Sequence, residues 1–180
     1  MAKTAQHPVL VIMGVSGSGK STVAGLLASR LGWDFAEGDD LHPEANVAKM
    51  QAGQPLTDAD RWPWLESIAG WIRQHTESGI PGVVTCSALK KRYRDVLRGD
   101  GVVFVFLDGS KDRISDRLAS RHGHFMPPSL LESQFEALEA PTGEENFITL
   151  SVSSAPADEA QEIIDRLDLT VGEVRDSGRL

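Results

Sequence analysis

Apolar residues in this chain come in short runs separated by segments of helical period. VLVIM (9–13) is apolar throughout, the mark of a strand covered on both faces. KSTVAGLLASRLG (20–32) spaces Val23, Leu26, Leu27 and Leu31 as one helix face and stops at Gly32. WDFAEGDD (33–40) is a short strand running into a polar loop. Residues 43–52 and 58–77 carry helical patterns, the second capped by Thr57 or Asp58, with Asp60 adding negative charge to its first turn. GVVTCS (82–87) is a third strand, ALKKRYRDVLRG (88–99) a helix closed by glycine, and VVFVFL (102–107) a fourth strand. Helices over 110–121 and 128–139 flank the loop HGHFMPP, FITLSV (147–152) is a fifth strand, and 157–167 is the last helix.

Strands alternating with helices predict βαβ units and a three-layer α/β fold. The expected core is a parallel sheet of about five strands with helices on both faces. No repeat or low-complexity segment divides the chain, so residues 1–180 are read as one domain, with 169–180 a flexible polar tail. In such sheets ligands sit beyond the carboxyl ends of the strands, so the polar segments following each strand are where chemistry is expected.

Composition narrows the class. The 180 residues are 41% apolar and 24% charged, with a formal net charge of −8. That balance is ordinary for a globular domain and argues against a nucleic-acid or anionic-membrane binder, whose footprint is basic. Cys86 is the single cysteine and has no internal disulfide partner. MAKTAQHP leads into too few apolar residues for a signal-peptide core, and no run approaches a bilayer span. The expected compartment is the cytoplasm.

GVSGSGKST (14–22) lies between the first strand and first helix. Gly14, Gly19, Lys20 and Ser21 satisfy G-x-x-x-x-G-K-[ST] in the strand–loop–helix context that motif requires. Glycines let backbone N–H groups approach a phosphate closely, and the following helix offers its positive end. The stretch Gly14, Val15, Ser16, Gly17, Ser18, Gly19, Lys20, Ser21 and Thr22 is therefore read as a nucleoside-triphosphate cradle. Lys20 reaches the β- and γ-phosphates and Ser21 ligates Mg²⁺.

The acceptor side is less explicit. EGDDLHP follows the second strand, where a carboxylate, Asp39, orients an attacking hydroxyl and takes its proton. The alternative is an acidic turn before a helix opened by Pro43. Arg61 offers a planar fork for a carboxylate, or is a solvated helix partner. Lys90 and Arg94, with Lys91 and Arg92, form a basic cluster in an acidic protein. They make either an anion site or a solvated helix face. Trp62 and Trp64 are read as packing. Arg113, Arg117 and Arg121 recur every four residues before HGHFMPP, a lid-like loop over about 121–128.

GVSGSGKS, GDDLHP, PLTDADRWPWL, CSALKKRYRD and SRHGHFMPPSLLESQFEALE occur in this order, and together they resemble the gluconokinase family of P-loop kinases. The likeness runs over residues 9–168. It implies a shikimate-kinase-like core with a short lid, ATP and Mg²⁺ as partners, and D-gluconate phosphorylated at its 6-hydroxyl. It also implies a homodimer. Asp39 then contacts the acceptor hydroxyl, whereas Asp40 is less essential. His42, Arg61, Lys90, Arg94 and His124 hold the polyhydroxy acid, and the backbone at Ser87 and Ala88 lines its pocket. Arg117 or Arg121 contacts the nucleotide, Arg113 is left to solvent, and Ser153 to Pro156 form the adenine edge.

Three rivals remain. VFVFLD ends in Asp108 as a hydrolytic switch protein would require, but no N-K-x-D motif for reading guanine is present. A nucleotide-binding regulatory module without chemistry is a second. A kinase of another small hydroxy acid, such as shikimate, is the third.

Overall fold

The computed structural model describes residues 8–119, 128–152 and 155–169. Five strands, β1 (Val9–Met13), β2 (Asp34–Glu37), β3 (Gly82–Thr85), β4 (Val102–Asp108) and β5 (Phe147–Ser151), form one sheet in the order β2-β3-β1-β4-β5. Every pairing is parallel. Helices α1 (Lys20–Leu31), α2 (Glu44–Gln51), α3 (Asp58–Ser78), α4 (Lys91–Leu97), α5 (Lys111–Ala119), α6 (Pro128–Ala137) and α7 (Pro156–Arg166) connect them.

The period-two geometry of a strand explains the two cores. Leu10 and Ile12 of β1 face one side, with Val103, Val105 and Leu107 of β4, and meet Leu27 and Leu31 of α1 and Ile163 and Ile164 of α7. Val9, Val11 and Met13 face the other side, with Phe104 and Phe106, and meet Leu65, Ile68 and Ile72 of α3 and Tyr93 and Leu97 of α4. The interior strands read as unbroken apolar runs because each is covered twice. β2, on the edge, has exposed Asp34 and Phe35 and was correspondingly faint in the pattern.

Local chemistry sets the helix ends. Gly32 and Gly79 close α1 and α3 in the left-handed conformation, with φ of 69° and 67°. Of the two candidate caps for α3, Thr57 is the one used: its Oγ1 accepts the Asp60 N–H at 3.2 Å, and Asp60 Oδ2 accepts the Thr57 N–H at 2.9 Å. Hydrogen bonds from Lys49, then from the Thr57 backbone, hold the Asp60 carboxyl down at about 2.

The helix expected from residue 88 begins three residues later. Ala88 sits in the left-handed region at φ 46°, and Lys90 is extended. Residues 86–90 therefore form a buried irregular segment whose carbonyls need donors. Arg94 supplies them: Nη1 donates to Ala88 O at 2.8 Å and Leu89 O at 3.2 Å, while Nε and Nη2 grip the Glu145 carboxylate at 2.6 and 3.3 Å. Arg94 and Glu145 side chains are 1% and 3% exposed. The expectation that Arg94 binds substrate is thus corrected, because its guanidinium is spent inside the protein.

Candidate active site

The parallel order brings the carboxyl ends of β2, β3 and β1 side by side, with the phosphate loop following β1. Gly14, Gly17 and Gly19 take φ of 144°, 82° and 94°. A Cβ at Gly14 would lie 2.9 Å from the Leu107 carbonyl, and one at Gly17 would lie 2.7 Å from Leu118 Cγ. These turns therefore require glycine on both conformational and steric grounds. Gly14 N–H donates to Ser87 O at 3.2 Å, locking the loop onto the segment after β3. Lys20 Nζ folds back across the loop onto Gly14 O and Val15 O, at 2.9 and 3.0 Å. Among the described residues the buried Ser18 hydroxyl has no hydrogen-bond partner, an opening for a ligand oxygen. Thr22 follows, exposed, on the first turn of α1.

Ser21 leads to a residue that sequence reasoning passed over. Its Oγ donates to Glu37 Oε2 at 3.0 Å, and Thr85 Oγ1 donates to the same oxygen at 2.8 Å. Glu37 ends β2 in register with Thr85, so the sheet delivers this carboxylate to the phosphate loop. A hydroxyl and a carboxylate are the hard oxygen donors that Mg²⁺ accepts, and they fit that ion. Among the described residues no group of three or more His, Cys, Asp or Glu is placed to hold a metal. An ion bound here takes its remaining ligands from phosphate and water.

The candidate acceptor side starts at Gly38, whose N–H donates to Thr85 Oγ1 at 3.1 Å and whose carbonyl accepts from Trp64 Nε1 at 2.7 Å. The next residue, Asp39, projects an open side chain, 82% exposed, 4.0 Å from His42 Nε2. Asp40 is exposed beside it. The imidazole of His42 is 3% exposed and stacks on Trp64 with centroids 4.1 Å apart. Asn46 Nδ2 donates to His42 Nδ1 at 3.2 Å and to Asp60 O at 2.7 Å. With Nδ1 accepting, the neutral ring carries its proton on Nε2, toward Asp39. Burial lowers the His42 pKa below 6.5, partly offset by Asp39 and reinforced by Arg61.

Beyond His42 lies the cationic group. Arg61 Nη1 donates to the Tyr93 hydroxyl at 3.2 Å, and Lys90 Nζ stands 3.6 Å from Asp58 Oδ1. Asp58 is engaged by Arg92 and by the Tyr93 O–H as well. The Tyr93 hydrogen bond, helped by Lys90 and Arg92 and opposed by burial, holds Asp58 below its ordinary value. Sequence reasoning weighed Asp58 only as a helix cap. Here it is the carboxylate on which Arg61, Lys90 and Arg92 converge. Ala88 is fully buried, while Ser87 is half-buried with its carbonyl committed to Gly14.

On the other flank, Arg117 donates to Ser18 O at 3.5 Å and Val152 O at 3.3 Å, between the phosphate loop and the end of β5. Arg113, left to solvent by the sequence, shares that carbonyl at 3.3 Å. Glu159 of α7 is 2% exposed and neither carboxylate oxygen is hydrogen-bonded among the described residues; burial raises its pKa, partly offset by Arg117. Pro156 opens α7 as its first residue. Arg121, His124, Ser153, the lid over about 121–128 up to its last residue and the tail beyond 169 lie outside the described residues.

A complete phosphate loop on a five-stranded parallel sheet, facing a carboxylate and a cationic cluster, defines a P-loop phosphotransferase acting on a small molecule. The family model described as shikimate kinase matches residues 16–168. The gluconokinase of Gluconobacter oxydans is 54% identical over 157 residues, covering 86% of this chain and 88% of its own. The solved gluconokinase from Sinorhizobium meliloti 1021 superposes with a TM-score of 0.83 at 46% identity, over 89% of this chain and 91% of that one. A sugar kinase from Janibacter sp. HTCC2649 gives 0.85 at 45% identity, over 93% and 99%. The chain belongs to the gluconokinase family.

Proposed function

We propose that this protein transfers the γ-phosphoryl group of ATP to the 6-hydroxyl of D-gluconate, giving 6-phosphogluconate and ADP. The carrying observation is that Asp39, just past β2, stands 4.0 Å from His42, while Arg61 and Lys90 gather on Tyr93 and Asp58, and that β3 lies between β2 and the strand that leads into the phosphate loop. The first group suits a reacting hydroxyl and the second a carboxylate, as a hydroxy acid requires. Family membership supports the same substrate.

In this reading the glycine turns and the amino end of α1 receive the triphosphate, and Lys20 leaves its loop carbonyls to meet the β- and γ-phosphates. Ser21 and Glu37 hold Mg²⁺, which when bound neutralises charge on the phosphates. The acceptor oxygen forms its bond to the γ-phosphorus as the bond to the leaving ADP oxygen breaks, and its proton passes to Asp39. The neutral His42 Nε2–H donates to Asp39 or to a substrate oxygen. Arg61 and Lys90 take the gluconate carboxylate, with Asp58 yielding part of its hold. Arg117 or Arg121 contacts the nucleotide; Ser153 and Pro156 border its base, and His124 helps hold the polyhydroxy acid.

The same reading takes a homodimer as the working assembly and the cytoplasm as its compartment, without nucleic-acid or membrane partners. The net charge of −8 supports the last point, and among the described residues no helix is long and apolar enough to cross a membrane.

The test is ADP release across sugar acids, shikimate and nucleoside monophosphates, run with Asp39→Asn and Asp40→Asn. Gluconate is the expected best acceptor. Asp39→Asn should lower kcat by roughly 10²- to 10⁴-fold with nucleotide affinity little changed, while Asp40→Asn is mild. Preference for shikimate overturns the substrate, and a crippled Asp40→Asn overturns the base.

A further inference from the structure

Gln134 of α6 makes contacts that none of these roles uses. Its Oε1 accepts the backbone N–H of Ser16 at 2.7 Å, and its Nε2 donates to the Ser16 hydroxyl at 3.0 Å. One planar amide thus grips both the main chain and the side chain of a single phosphate-loop residue, from 118 positions away.

The place of that grip gives it meaning. Ser16 sits between Gly14 and Gly17, whose φ values of 144° and 82° are turns that only glycine takes cheaply. A loop with two such joints has conformational freedom that must be removed before it fits a triphosphate. Two backbone hydrogen bonds restrain it from inside: Gly14 N–H to Ser87 O and Ser18 N–H to Val15 O, both 3.2 Å. The outer arc, at Ser16, is held by Gln134.

The anchor is itself packed against the protein. Val15 packs with Leu131 of α6, Ile114 of α5 and Leu89 in a small separate apolar cluster. Just past α6, Glu139 N–H donates to Leu89 O at 2.7 Å, and Glu139 Oε1 accepts the N–H of Lys91, the first residue of α4, at 3.0 Å. The helix is therefore held through Leu131 and, past its carboxyl end, through Glu139, and its Gln134 amide reaches the loop from that support.

We propose that Gln134 is a positioning residue for nucleotide binding: by fixing Ser16 from α6 it holds the phosphate loop in the shape that receives the triphosphate. The inference depends on the phosphate-loop reading and not on which acceptor is used. A protein that turns over ATP poorly with gluconate can still pass or fail the test below.

The test is titration with the Mg²⁺ complex of a non-hydrolysable ATP analogue, for the wild type, Gln134→Leu, Ser16→Ala and the double variant. Gln134→Leu keeps the volume and loses both bonds. Its Kd should rise roughly 5- to 20-fold, the size expected of two neutral hydrogen bonds. Ser16→Ala keeps the backbone bond and should show a smaller rise, about 2- to 5-fold. The double variant should match Gln134→Leu alone, because the hydroxyl bond needs both partners. In turnover, KM for ATP should rise at least several-fold more than KM for gluconate, a split that general loosening of the fold does not produce. An unchanged Kd in Gln134→Leu, strictly additive effects in the double variant, or equal rises in both KM values would each overturn the proposal. If Gln134→Leu does not fold, Ser16→Ala decides alone, and a wild-type Kd there refutes it.

Discussion

Replacing Gly38 by alanine tests whether Asp39 is placed by the backbone beneath it. Gly38 is clasped on both sides, by Thr85 Oγ1 on its N–H and Trp64 Nε1 on its carbonyl. A Cβ there would stand 1.9 Å from the Thr85 carbonyl oxygen and 3.3 Å from Ile68 Cδ1. The oxygen belongs to β3, which is paired to β2 and β1 and does not give way as a side-chain tip would. Since real Cβ atoms essentially never come within 3.0 Å of such a neighbour, residue 38 must retreat by about 1 Å. Misplacing a reacting group on that scale costs on the order of 10²-fold. The retreat also strains two hydrogen bonds at about 1 kcal/mol each, so about 2 kcal/mol of stability should go with it. The assay is kcat at saturating ATP and gluconate, beside urea unfolding of the same preparations. Gly70→Ala is the control. It lies inside α3, a Cβ there meets nothing within 4 Å, and the substitution should stabilise by about 0.5–1 kcal/mol. A Gly38→Ala enzyme within threefold of wild-type kcat would refute the reasoning, because Asp39 would then be placed independently of its clasped neighbour.

Lys20→Ala should keep the fold, since a loop lysine contributes little packing, and should lower phosphoryl transfer by roughly 10²- to 10³-fold, read as kcat. Arg61→Lys should raise KM for gluconate about tenfold or more with less effect on kcat, because a point charge does not reproduce a fork; unchanged KM moves the carboxylate elsewhere. Glu145→Gln leaves Arg94 buried beside a neutral amide and should cost about 3 kcal/mol in urea unfolding. Burial pushes Glu145 up, but the Arg94 hydrogen bonds, with the Thr142 N–H, outweigh it and leave its carboxyl below 4.5. The native state therefore binds fewer protons there than the unfolded chain. The pair's contribution is complete above about 4.5 and fades as pH falls through the folded value. A wild type whose acid loss matches that of Glu145→Gln would refute the pairing.

Cys86 shows how little some residues say on their own. The sequence marks it only as unpaired, and burial pushes its thiol up to about 12, which leaves it inert.

The sequence by itself determined the alternation of strands and helices, because a strand covered twice must be apolar throughout and a covered helix must repeat near every third or fourth position. It also determined the phosphate loop, whose glycines, lysine and serine are contiguous, so the cradle is local chemistry. The candidate acceptor side is assembled from the loop after β2, from α3 and from the segment after β3, and only the tertiary structure decided who meets there. Lys90, Arg92 and Arg94 look alike as neighbours in a basic run. The irregular stretch over 86–90 turns Arg94 inward onto Glu145, while Lys90 and Arg92 meet Asp58. Glu37 and Gln134 are unremarkable letters until register and packing bring them to Ser21 and Ser16. Long-range hydrogen bonds leave no periodic trace, because their partners are chosen by where the chain returns.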